Sequence, residues 1–104
     1  MKMIEINGKS YVLKLTLNAL VNFEDASGKA MNDLDDLTMR EMRLLFHEIF
    51  KAGGSRMDLE ETGDLVTDYI GQNGMEVLTE TLKEVLDKFT GKSSSKANLA
   101  KVTK

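Results

Sequence analysis

The spacing of apolar residues changes character near Leu15. Before it, MIEINGKSYVLKL sets Ile4 and Ile6 on one side of an Asn7-Gly8 pair and Tyr11 and Val12 on the other. Asn-Gly accepts the positive φ that a two-residue hairpin turn requires, and the flanking residues are strand formers. The pattern predicts a β-hairpin from about Lys2 to Leu15. A lone hairpin is marginal in water, so its apolar face needs a cover.

From Thr16 onward the spacing is helical. Thr16 is a candidate N-cap for a short helix carrying Leu17, Leu20, Val21 and Phe23, with Gly28 placed to end it in the left-handed conformation. A helix this short is unstable alone and must pack on the hairpin. In TMREMRLLFHEIFKAGG, Thr38 and Glu41 have capping-box spacing, a stripe runs through Met39, Met42, Leu45, Phe46, Ile49 and Phe50, and Gly53-Gly54 is the stop. Asp58 and Glu61 repeat the capping pattern ahead of Leu59, Leu65, Val66, Tyr69 and Ile70. Gly63 inside that helix costs up to ~1 kcal/mol relative to Ala. A last helix is expected to open at Asn73, with Glu76 three residues on, to present Met75, Leu78, Leu82, Val85, Leu86 and Phe89, and to end at Gly91.

These stripes exceed what one hairpin covers, so the helices must also pack on one another. The predicted architecture is α+β: an N-terminal β-hairpin followed by about four α-helices in a small bundle. Residues 1–91 form a single globular domain in this reading. Residues 92–104, KSSSKANLAKVTK, are small and polar with only Leu99 and Val102 as large apolar residues, and are expected to form a disordered basic tail.

Composition narrows the function classes. The chain has 41% hydrophobic and 30% charged residues, near the globular norm, with few aromatics, no Trp and seven Met. A core built from aliphatic and Met side chains follows. The absence of Cys excludes disulfides, thiolate nucleophiles and cysteine-based zinc sites. No run approaches the ~20 apolar residues of a membrane helix, and the N-terminus lacks the apolar stretch of a signal peptide, so a cytoplasmic protein without a membrane partner is expected. The net charge of −3 is uneven. Four of the 14 basic residues (Lys92, Lys96, Lys101 and Lys104) lie in the tail, leaving 10 against 17 acids, or −7, on the rest. Such a body repels phosphate backbones, and no nucleic-acid partner is expected.

Candidate chemistry is sparse. The one histidine, His47, lies in mid-helix beside Glu48 and reads as a solvent-facing residue. With serines confined to turns and the tail, a nucleophile–base–orienter set has little to draw on. The acidic cluster Asp33, Asp35 and Asp36 lacks the EF-hand's sixth-position Gly and twelfth-position Glu, since Thr38 and Leu44 stand there. A solvated loop before a helix N-terminus explains it better. KAGGSR follows a helix and lacks P-loop spacing, so it reads as a helix–helix turn. Neither a metal nor a cofactor is expected. The methionines Met31, Met39, Met42, Met57 and Met75 suit an irregular core, and also a surface that accepts varied apolar partners.

The order of these segments resembles the tail assembly chaperones of long-tailed phages and their relatives in prophages and gene transfer agents. The resemblance rests on ING-K-x-Y-x-LKL in the hairpin, LTLNALVNFEDASGKAM with its acidic pair Glu24-Asp25 before Ser-Gly-Lys, LTMREMRLLFHEIFKAG, and the glycine-interrupted MDLEETGDLVTDYIGQNGMEVLTETLKEVL. It covers most of residues 1–91, and its motifs are architectural.

What the resemblance implies is a non-enzymatic protein of the host cytoplasm. It would bind the tape measure protein during tail assembly, help bring major tail tube subunits to it, and be absent from the mature virion. Members of this family are often also made as a longer frameshifted product. Glu24 and Asp25 would then be architectural, on the polar face and last turn of a short helix. The client would lie on Met39, Met42, Phe46 and Phe50, or on Leu78, Leu82, Val85 and Phe89, with several copies acting along one client by avidity. Self-association is consistent with the surplus of apolar stripes. A competing reading is a small regulatory or DNA-associated helical protein, which the acidic body and the lack of a basic recognition helix disfavour.

Overall fold

The computed structural model describes residues 2–28 and 37–91. The predicted tail, the aspartates of the acidic cluster and Met31 lie outside the described residues. The architecture is α+β: a two-stranded antiparallel hairpin, β1 (Lys2–Ile6) and β2 (Lys9–Leu13), then α1 (Leu17–Ser27), α2 (Met39–Ala52), α3 (Leu59–Asn73) and α4 (Met75–Thr90).

The hairpin turns on Asn7 (φ 55°) and Gly8 (φ 80°), the double positive φ that matches the right-handed twist of the strands. That turn sets the register, with Ile6 opposite Lys9, Ile4 opposite Tyr11 and Lys2 opposite Leu13. Ile4, Ile6 and Leu13 are buried while Met3 and Glu5 face out. The Asn7 side chain also reaches α3. Its amide donates to Asp68 at 2.8 Å and its carbonyl accepts from Gln72 at 2.6 Å, pinning the hairpin tip to that helix.

The helix starts at Thr16, Thr38 and Asp58 are as expected. The Thr16 hydroxyl accepts from the Ala19 amide at 3.0 Å, and both Thr38–Glu41 and Asp58–Glu61 form complete capping boxes. Gly28 ends α1 in the left-handed conformation (φ 75°), its N–H donating to the Glu24 carbonyl at 2.8 Å, with Glu24 and Asp25 exposed on the last turns.

The start of α4 differs from expectation. Asn73 is the last residue of α3, and its amide donates to the Tyr69 carbonyl at 3.2 Å. Gly74 alone joins the two helices (φ 94°, ψ 155°), and α4 begins with no side-chain cap. A one-residue connection leaves Asn73 inside the preceding helix, so it cannot adopt the extended backbone of an N-cap. Glycine is suited to the link because its positive φ strains any other residue.

The core is one cluster. Phe23 of α1, Leu45, Phe46, Ile49 and Phe50 of α2, and Leu78, Leu82 and Val85 of α4 meet Ile6 and Leu13 of the hairpin, all buried. Tyr11 stacks edge-on against Phe50, 5.7 Å between ring centroids at 72°. On α3 only Thr62 and Tyr69 are fully buried, and Leu59, Leu65, Val66 and Ile70 are half-buried. Thr62 satisfies its hydroxyl on the Asp58 carbonyl (2.9 Å), and Tyr69 bonds the Thr81 hydroxyl of α4 at 3.0 Å inside the core.

The end of α2 sits against the Val12 end of β2. The Lys14 N–H donates to the Ile49 carbonyl at 3.5 Å. Gly53 lies so close to the Val12 carbonyl that a β-carbon there would overlap its oxygen. Its backbone (φ −81°, ψ −1°) suits any residue, so contact alone demands glycine here.

Candidate partner-binding surface

Phe46 and Phe50 are each 1% exposed and Val85 3%, so all three are spent on the core. Phe89 is half-buried in a shallow recess of about 220 Å³ with Leu13, Lys14, Leu15, Val85 and Lys88. Met42, Leu78 and Leu82 come together.

They meet in an open cleft of about 210 Å³ between the first turns of α2 and the middle of α4. Leu78 and Leu82 form its buried floor, Met42, Leu37 and Leu86 are half-buried walls, and Thr79 and Lys83 form a polar rim. Met39, 64% exposed, stands one turn before Met42. The α4 contribution follows from helical spacing, since residues 78, 82 and 86 recur every four positions and fall on one face.

Leu37 and Leu86 complete the cleft beyond the predicted site residues, although Leu86 had a place in the predicted α4 stripe. For Leu37 a signal was available. It precedes the Thr38 N-cap, and Met42 is the fourth helical residue, the spacing of a hydrophobic staple. Both residues line the same cleft, so the pair that orients the entry of α2 also builds the surface.

The polar candidates are structural. His47 does not face solvent: its side chain is 20% exposed and Nε2 lies 3.0 Å from the Met57 carbonyl. A carbonyl only accepts, so Nε2 carries the proton and ties α2 to the segment entering α3. The neighbouring Glu48 is buried. Its Oε1 accepts from the Asn22 amide of α1 at 3.2 Å and lies 3.4 Å from the Lys51 ammonium. A carboxylate withdrawn from water needs such donors. The KAGGSR segment is the α2–α3 turn, as expected.

No protein-family model, curated protein or solved structure matches the chain. Among the described residues no helix is long and apolar enough to cross a membrane.

Proposed function

We propose that this protein is a tail assembly chaperone of a long-tailed phage or prophage, a non-enzymatic binder that holds the tape measure protein soluble in the host cytoplasm and is left out of the mature virion. The observation that carries the reading is the open cleft of Leu37, Met42, Leu78, Leu82 and Leu86: a buried apolar floor between half-buried apolar walls, with a flexible thioether on one of them. An amphipathic client helix presents apolar side chains every three or four residues, and a cleft of this size receives one or two of them. Each contact is weak. Many chaperone copies along a long client supply the stability by avidity, and weak individual contacts permit release when tube subunits arrive. The order of hairpin, short acidic-ended helix and capped helices agrees with the resemblance.

The described surface supports a protein client over nucleic acid, because α3 carries Glu60, Glu61, Asp64 and Asp68 with no basic residue along its length. The test is co-expression with the tape measure protein encoded in the same genome, followed by affinity capture and measurement of soluble client. A soluble complex that Met42→Gln weakens, while the variant keeps its helical circular dichroism, is the expected result. A folded chain that leaves the client insoluble and uncaptured overturns the proposal.

A further inference from the structure

A two-stranded sheet has two edges, and the end of α2 sits against one of them, at Val12. On this β2 side Gly53 lies close under the Val12 carbonyl, and just past the strand the Lys14 N–H donates to the Ile49 carbonyl. At β1 the edge faces a groove instead. With the turn closing on Ile6 and Lys9, the alternation of an antiparallel ladder points the backbone N–H and C=O of Met3 and Glu5 away from β2. Among the described residues these groups have no backbone partner.

Beside that edge lies an open groove of about 440 Å³, walled by Met3, Ile4 and Glu5 on one side and by Val77, Glu80 and Glu84 of α4 on the other. Met3 is 64% and Val77 36% exposed, an apolar pair that nothing among the described residues covers. Three carboxylates rim it against one ammonium, Lys2, which is already paired with Glu84 at 2.7 Å. Free sheet edges recruit strands unless charge, proline or a bulge blocks them; β1 has no proline and runs in register along its whole length, and the acidic charge along it turns away acidic strands while leaving it open to a cationic one.

We propose that β1 is a docking edge for an extended, cationic segment of a partner chain, which adds a third antiparallel or parallel strand beside Met3 and Glu5. Met3 and Glu5 share one face of β1, and Val77, Glu80 and Glu84 lie on the α4 side with Lys2, so both faces of the added strand meet an apolar residue together with carboxylates and the segment carries apolar residues and Lys or Arg on each face. Main-chain bonds to Met3 and Glu5 supply affinity, the apolar side chains cover Met3 and Val77, and the cations meet Glu5, Glu80 and Glu84. The charge of the groove selects against a second copy of β1, which would bring the same carboxylates into one site. This surface is separate from the α2–α4 cleft, and the inference does not depend on the tape measure reading.

The probe is a fluorescein-labelled hexapeptide, Lys-Lys-Val-Val-Lys-Lys, which puts lysine and valine on both faces of a strand, titrated into the full-length protein by anisotropy and by amide chemical-shift mapping, with Glu-Glu-Val-Val-Glu-Glu as control. Saturable binding with a Kd of about 100 μM is expected for the lysine peptide only, with the largest amide shifts at Met3 and Glu5. Met3→Pro removes an outward N–H while leaving the β1–β2 ladder intact, and should weaken binding about tenfold. Glu80→Lys alters only an exposed side chain and should weaken it about fivefold, with both losses larger than any effect of Met42→Gln.

The proposal is overturned by no saturable binding at about 1 mM, by shifts confined to Met42, Leu82 and Leu86, or by equal binding of the Met3→Pro protein. It also fails if the Met3 amide is already protected from hydrogen exchange in the free monomer, or if the free protein is a dimer that Met3→Pro dissociates. In those cases the chain itself or a second copy holds the edge.

Discussion

Replacing Gly53 with alanine tests how the hairpin is seated on the bundle. The residue lies just beyond α2 with φ −81° and ψ −1°, a conformation alanine adopts without strain. Considered locally, the substitution should stabilise the fold by about 0.4–1 kcal/mol, because the unfolded chain loses freedom. The tertiary contact opposes this. An added β-carbon would overlap the Val12 carbonyl oxygen and approach the Val12 Cβ to 3.3 Å, and neither neighbour is the free end of a flexible side chain. Relief requires β2 to move from α2, which would lengthen the Lys14–Ile49 bond and disturb the Tyr11–Phe50 contact. Overpacking of this kind costs about 1–3 kcal/mol, and a lost backbone bond adds about 1. A net loss of about 2–3 kcal/mol corresponds to a melting temperature lower by roughly 10–15 °C in a domain of this size. Urea unfolding monitored by circular dichroism reads it, with an unchanged slope showing that the unfolded state is not the cause. A Gly53→Ala protein as stable as the parent would refute the close seat of the hairpin on the end of α2.

Other glycines and polar contacts give further tests. Gly71→Ala in exposed α3 meets nothing within 4 Å and should stabilise the protein by up to about 1 kcal/mol in the same urea assay. Tyr69→Phe leaves the buried Thr81 hydroxyl without its partner and should cost about 1–2 kcal/mol, whereas Tyr69→Phe with Thr81→Val should recover part of that loss; additive losses would show that the 3.0 Å contact does not form. Asn7→Gly keeps a residue that accepts positive φ but deletes the bonds to Asp68 and Gln72, with an expected cost under about 1 kcal/mol at this exposed site and faster exchange of the hairpin amides. Leu82→Ala empties part of the cleft floor and should cost about 2–4 kcal/mol in urea unfolding; a loss below about 1 would place Leu82 outside the core.

Local signals were legible along the chain, and they were accurate where a few neighbouring residues decide the outcome. Asn7-Gly8 specifies its turn because both positions must take positive φ, and Thr16, Thr38 and Asp58 announce their helices because each bonds an amide three residues away. The same logic failed at Asn73, where Gly74 offered a shorter connection and the next helix began without a cap. Periodicity identified the apolar stripes on α2 and α4 but not which parts remain open. Phe46 and Met42 belong to one stripe, yet the first is enclosed and the second lines a cleft, because neighbouring helices cover only part of it.

Long-range contacts were invisible for the same reason. His47 reads as a solvent-facing residue in the sequence, yet it is half-buried on the Met57 carbonyl, and Glu48 and Thr81 are buried on Asn22 of α1 and Tyr69 of α3, partners from elsewhere in the fold. Gly53 looks like a helix stop, and only the approach of Val12 shows why a β-carbon is excluded. The chain by itself determined where elements begin, end and carry apolar side chains, because those choices are settled by backbone conformation and hydrogen bonds within a few residues. Tertiary packing decided which apolar faces are used up, which polar groups find partners, and which sheet edge stays free, because each depends on surfaces brought together from distant parts of the sequence.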